Sequence, residues 1–285
     1  MIRRFLFQAL GFVLSVICGS FALAQTYDAP PVAQPSMAIN LSGVPDWNTA
    51  HPFINIAKTA RGWQGHLPGQ WAGISNEELR ERGFVDAAGW PLAIPPEANF
   101  LATLLLTGQN PDTHSIQGKY RITYSGTAEI KIAMTGRVIS IEPNEFCFAF
   151  KRGSTGPGRL QITEMDPADP LRDLEIIHED LIAAYEVGEI FNPNYIERIK
   201  DFRVLRFMDW MHTNNSKIST WSELPQTSDF TYAEGVPLDV MLALANKIGA
   251  DPWFTLPHMA DDTYVRNLAT LVRDGLDEDL KTYVE

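Results

Sequence analysis

From residue 191 onward, short apolar runs alternate with segments of helical periodicity, and this alternation constrains the fold more than any other feature of the chain. Pro193 can open a short helix through Ile196 and Ile199. Residues 204–208, VLRFM, read as a buried strand. Pro237 then opens a helix with Met241, Leu244, Ala245 and Ile248 on one face, and Gly249 ends it. Residues 253–256, WFTL, read as the next strand. Asp261 or Asp262 caps a helix carrying Val265, Leu268, Ala269, Val272 and Leu276, and residues 282–284 begin another strand. Strands alternating with helices imply parallel βα units, which place functional groups on the loops after the strands' carboxyl ends.

Upstream, 37–43 (MAINLSG) reads as a short strand ending in a turn, and 51–63 carries helical spacing at Phe53, Ile56, Ala57 and Ala60. Between 64 and 180 the character changes. Alternating runs at 119–124, 128–132, 137–141 and 158–162 are separated by turn residues, the pattern of an antiparallel β-rich module. Ser75 followed by Glu78 is a capping box for a short helix that Gly83 can stop. The expected organisation is therefore a strand and helix over 37–63, a β-rich module over 64–180, and βα units over 181–285.

The amino terminus reads as a secretory signal over 1–24. Arg3 and Arg4 precede an apolar stretch over 5–21, then Ala22-Leu23-Ala24. The small-x-small site favours cleavage over a retained membrane anchor, and Ile17 before Cys18 disfavours a lipoprotein. Pro-rich residues 25–36 read as a linker. Signal removal leaves Cys147 alone, so an exported chain relies on core packing rather than an internal disulfide. Its apolar surroundings, FCFAF, favour a buried, inert thiol. No later run is long and apolar enough to span a bilayer, so no membrane partner is expected after cleavage.

With 23 basic and 35 acidic residues, the formal net charge is −12, which disfavours nucleic acid as a partner. The G-x-S-x-G, H-E-x-x-H, P-loop, C-x-x-C and dinucleotide patterns are absent. Asp166, Asp169 and Asp173 lack the spacing of an EF-hand calcium loop. No cofactor and no metal is expected.

The loops after the expected strands carry Asp46 and Trp47; Asp209, Trp210, His212, Asn214 and Asn215; and His258, Asp261 and Asp262. Sugars need such a mixture: indole faces cover the C–H side of a pyranose, and carboxylates, amides and imidazoles bind its hydroxyls. Trp63, Trp221 and Trp253 are further candidate platforms, although a tryptophan is as readily a core residue. Arg206, inside an apolar strand, needs either a carboxylate partner or a ligand. The Asp261-Asp262 pair also suits a helix cap with a dipole-favoured acid.

The stretches INLSGVPDWNTAHPFINIAKTARGW, DAAGWP, FNPNYIERIKDFRVLRFMDWMHTNNS, GVPLDVMLALANKIGADPWFTLPHMADDTYV and KTYVE together resemble a family of bacterial secreted proteins often labelled cellulose-binding proteins. That family is similar to clan-A-type glycoside hydrolases. The resemblance implies an α/β fold: a partial (β/α)8 TIM barrel, about four of eight strands, with an inserted antiparallel β-rich module. It also implies that Arg206 and His258 line a sugar subsite. In such hydrolases an Asn-Glu pair on the fourth strand supplies the acid/base, within a YSNEVWN-like stretch following YVE, and a seventh-strand Glu is the nucleophile. This sequence ends at Glu285, so the resemblance implies a truncated product or a half-length protein completed by a partner chain. The expected role is that of the amino-terminal half of a polysaccharide-degrading protein without its catalytic carboxylates. Its partner would be a polysaccharide or oligosaccharide bound by Trp47, Arg206, Asp209, Trp210, Asn214, Asn215, His258 and Asp262. The alternatives are a non-catalytic carbohydrate- or cellulose-binding protein, and a surface-matrix protein with no sugar affinity.

Overall fold

The structure, a computed structural model, describes residues 37–110, 113–134, 137–141, 146–150 and 158–285. The expected signal and linker, and with them Cys18, lie outside the described residues. Cys147 lies in a described strand, but its side chain is outside the described set, so its burial is left as an expectation.

The described residues form a mixed α/β protein with three sheets. Strand β1 (Ala38–Asn40) leads into a 3-10 turn at Ile56–Thr59, then β2 (Gln64–His66), α1 (Asn76–Glu81) and β3 (Phe100–Leu105). A run of strands follows: β4 (Gly118–Ser125), β5 (Ala128–Met134), β6 (Arg137–Ile141), β7 (Phe146–Phe150), β8 (Gly158–Met165) and β9 (Arg172–His178). After α2 (Ile182–Glu186) and α3 (Pro193–Ile199) come β10 (Val204–Arg206), α4 (Leu238–Ile248), β11 (Asp251–Phe254), α5 (Asp262–Gly275) and β12 (Tyr283–Val284).

Strands β2–β9 form two antiparallel sheets, ordered β2-β3-β8-β5-β6 and β7-β4-β9. Their facing side chains close one core. β4 shows why: Tyr120, Ile122 and Tyr124 point inward while the residues between them are only partly buried, the period-two pattern of a half-buried strand. From the other sheet Leu101, Ile130, Ile132, Leu160 and Ile162 meet them. Asp166, Asp169 and Asp173 sit around one end of this module. Asp169 accepts from the Thr127 hydroxyl at 2.8 Å and Asp173 from the Ser125 hydroxyl at 2.7 Å.

The remaining strands form a parallel sheet, β1-β10-β11-β12. Leu205, Phe207 and Phe254 join the helices α3, α4 and α5 in a second core. The local signals operate as expected. Ser75 caps α1 by accepting from the Glu78 amide, Asn192 caps α3 with Pro193 next to it, Gly249 ends α4 in the left-handed conformation, and Asp261 accepts the Tyr264 amide at 2.6 Å. On the opposite sheet face Asn40, Arg206 and Trp253 share a row, with Tyr283 beside them.

Two expectations are corrected. The parallel sheet is open, and β1 and β12 are its edges, so the described residues contain no barrel. Residues 51–63 hold a 3-10 turn in place of an α-helix. Asn55 explains the change. Its side chain caps the Ala57 amide at 3.0 Å, accepts from the Ile176 amide at 3.0 Å and donates to the Leu174 carbonyl at 3.3 Å. The backbone of Phe53 and Asn55 bridges to Phe191 and Ile177, so the segment is tied to distant chain and cannot wind up on itself.

Candidate functional site

The loops after β1 and β10 enclose an open hollow of about 610 Å3. Trp47, Asn48, Asp209, His212, Thr213 and Asn214 line it. Trp47 is 57% exposed, so most of its ring faces solvent. The residue before it points the other way. Asp46 is buried and takes both arms of Arg61, Nε to Oδ1 at 3.0 Å and Nη2 to Oδ2 at 3.0 Å, and accepts from the Thr107 hydroxyl. The same guanidinium sits 5.4 Å from the Trp47 ring centroid and props it at the rim. Asp46 is thus consumed by structure.

Asp209 is half-buried and is the single carboxylate among the described residues that line the hollow. The Asn40 side-chain amide donates to its Oδ2 at 3.2 Å, while Asn40 Oδ1 accepts from Arg206 Nη1 at 3.5 Å. Arg206 in turn pairs with Glu285 and lies 5.1 Å from the Trp253 ring centroid. A polar chain therefore runs from the exposed sheet face to Asp209. His212 and Asn215 hold left-handed backbone (φ 50° and 59°), a strained conformation that non-glycine residues adopt when the surrounding structure imposes it. The Thr213 hydroxyl donates to the Thr255 carbonyl at 2.9 Å and fixes the loop against β11.

The hollow does not stop there. His212 also lines a second depression of about 820 Å3 between α1 and residues 215–218, which holds Asn215. That depression shares Arg80, Ile218 and Glu234 with a third of about 650 Å3. The three form a track along the boundary between the β-rich module and the parallel sheet.

Of the eight expected binding residues, the structure gathers Trp47, Asp209 and Asn214 in the first hollow and Asn215 in the second. The other four lie elsewhere. Trp210 is 1% exposed, packed among Phe53, Tyr195 and Phe207, and its indole N–H donates to the Ser42 carbonyl at 3.1 Å. It anchors the two loops to each other instead of facing a ligand. Arg206 has its carboxylate in Glu285 and lines none of these three hollows. His258 is exposed and Asp262 is a solvent-facing first-turn acid 3.7 Å from Arg266; neither lines the hollow. Among the other candidate platforms, Trp63 is buried against Phe230, Trp221 packs on Tyr264, and Trp253 lies beside Arg206. His212, named among the loop residues after β10, joins them in the hollow; Asn48 was not named, and its position next to Trp47 in sequence was the available signal.

Among the described residues no group of three or more His, Cys, Asp or Glu side chains can hold a metal ion, and no helix is long and apolar enough to cross a membrane.

Behind the rim, His51 donates from Nε2 to Gln109 Oε1 at 3.1 Å, and burial pushes its pKa below the ordinary 6.5, with Arg198 adding to the effect. A histidine held neutral by burial binds its proton more readily once unfolded, so stability is lost as pH falls below about 6.5. Unfolding midpoints measured from pH 8 to pH 5 are expected to decline in the acid half, and His51→Gln to flatten that part of the curve.

No protein-family model matches this chain, and no curated protein sequence does. Among solved structures, a beta-glucosidase from Kluyveromyces marxianus in complex with glucose aligns over 55% of this chain and 18% of its own, at 9% identity and a TM-score of 0.22. A GH31 alpha-xylosidase from Xanthomonas citri aligns over 61% of this chain and 26% of its own, at 12% identity and a TM-score of 0.17. The chain thus spans about a quarter or less of either structure, and scores this low establish no common fold.

Proposed function

We propose that this chain is an exported carbohydrate-binding protein that holds an oligosaccharide or polysaccharide at the Trp47 hollow without cleaving it. The observation that carries this reading is the solvent-facing Trp47 ring set beside Asp209, Asn48, His212 and Asn214 in one concavity. The indole supplies an apolar face for a pyranose, and the polar groups around it supply both donors and acceptors for hydroxyls. The track leading away past His212 suits a chain of sugars better than a single one. Glycoside cleavage by the common route needs two carboxylates flanking the bond, about 5–9.5 Å apart, and the hollow presents Asp209 alone.

The test is retention on insoluble glycans, cellulose among them, paired with an assay for released reducing sugar. Retention without release supports the proposal. Release that depends on Asp209 would replace it with hydrolysis, and a flat isotherm against every glycan would favour a surface-matrix role.

A further inference from the structure

We propose a second binding site, on the outer face of the five-stranded sheet, built from Arg159 and Trp71 over His66, which is 3% exposed and supports the indole, and suited to a carboxylate-bearing saccharide. The pairing of β2 with β3 and of β3 with β8 sets His66 opposite Phe100 and Arg159 opposite Leu104, all turned away from the sandwich core. Ala102, between them on β3, offers only a methyl group, so the Arg159 side chain can lie along the sheet and bring its guanidinium to 5.9 Å from the Phe100 ring centroid. Trp71, in the loop after β2, stands 4.9 Å from the same guanidinium. His66 stacks on Phe100 at 4.6 Å and meets Trp71 edge-on at 4.6 Å. The Ala72 amide donates to His66 Nδ1 at 3.2 Å, and Ala72 holds left-handed backbone (φ 49°) to do so. Neutral His66 therefore carries its proton on Nε2.

Arg159 has no carboxylate or hydrogen-bond acceptor among the described residues, and its Nε is buried without a partner. This is anomalous in a chain with 35 acids and 23 bases, where Arg61, Arg82, Arg172, Arg203 and Arg206 all pair with carboxylates. Gln161, next on the same face of β8, is 6% exposed. A planar carboxylate matches the guanidinium fork. Trp71 remains 55% exposed, so an apolar ring face is available beside the cation. A hexuronic acid carries its carboxylate directly on the pyranose ring, so one rigid residue can stack on the indole and pair with Arg159 at once. A peptide carboxylate on a flexible side chain satisfies only the second contact. The site shares no residue with the Trp47 hollow, so either can fail without the other.

The experiment is calorimetric titration of the full chain with oligogalacturonate, with the matching neutral galactose oligomer as the second arm and polyglutamate as the third. The acidic sugar is expected to bind at least about tenfold tighter than the neutral one and to weaken with added salt. Arg159→Gln and Trp71→Ala are each expected to lose at least about tenfold, Arg159→Lys to keep part of the affinity, and Trp47→Ala to leave it unchanged. Unfolding midpoints check that the variants fold; should Arg159→Gln not fold, Trp71→Ala and the acidic-to-neutral ratio decide. Equal affinity for the two sugars, indifference to Trp71→Ala, or Arg159-dependent binding of polyglutamate as tight as the sugar's would each overturn the proposal.

Discussion

Replacing Trp210 with alanine is expected to cost about 3–5 kcal/mol of folding stability, a large share of the roughly 5–15 kcal/mol that holds a domain together. The indole is 1% exposed and packs at 5.6–5.7 Å from the rings of Phe207 and Phe53. Its removal opens a cavity in the helix-side core and frees the Ser42 carbonyl that its N–H now binds. Trp210→Phe fills most of the space but loses the hydrogen bond, so a smaller loss is expected. Urea unfolding checks both. A Trp210→Ala variant with a wild-type midpoint and impaired sugar binding would return this residue to the ligand-facing role that its neighbourhood in sequence suggested.

The second large effect concerns Arg61. Arg61→Met leaves Asp46, whose side chain is 1% exposed, without its cation, at an expected cost of about 3–5 kcal/mol. The Thr107 hydroxyl hydrogen-bonds the buried carboxylate but carries no charge to balance it. Asp46→Ala is expected to be milder, because the Arg61 side chain is 36% exposed and can turn to water. The double variant should therefore cost clearly less than the sum of the singles, and a double-mutant cycle in urea measures the difference. Strict additivity would show that the pair is not coupled. Arg61→Met should also loosen the Trp47 ring and weaken sugar binding.

Much of the fold was legible because its signals are local. Ser75 with Glu78, Asn192-Pro193, Gly249 and Asp261 each act within one helical turn, and β4 and β5 alternate openly along their length. Strand β3 gave no such pattern because every residue over 101–105 is buried, so FLATLL, interrupted by Thr103 alone, shows no polar alternation for periodicity to assign. The helix expected over 51–63 failed for a long-range reason: the bonds from Asn55 to Leu174 and Ile176 cross more than a hundred positions of sequence. The same limit governs the site. Asp46 and Trp47, or Asp209 and Trp210, are adjacent in sequence yet face core and solvent in opposite senses, and no residue pattern distinguishes them. Arg206 was recognised as needing a partner, but whether that partner was Glu285 or a ligand depended on the register of β10, β11 and β12. Trp71, in the loop after β2, and Arg159, on β8, are far apart in sequence and meet only because β2 and β8 both pair with β3.

The most direct measurement is titration of wild-type protein, Trp47→Phe and Trp47→Ala with soluble oligomers of whichever glycan the wild-type chain retains. Because Trp47 is exposed, neither substitution should move the unfolding midpoint appreciably. Binding at the Trp47 hollow requires Trp47→Ala to lose at least about tenfold in affinity while Trp47→Phe keeps most of it. Undiminished affinity in a folded Trp47→Ala protein would contradict the assignment of the hollow as the sugar site.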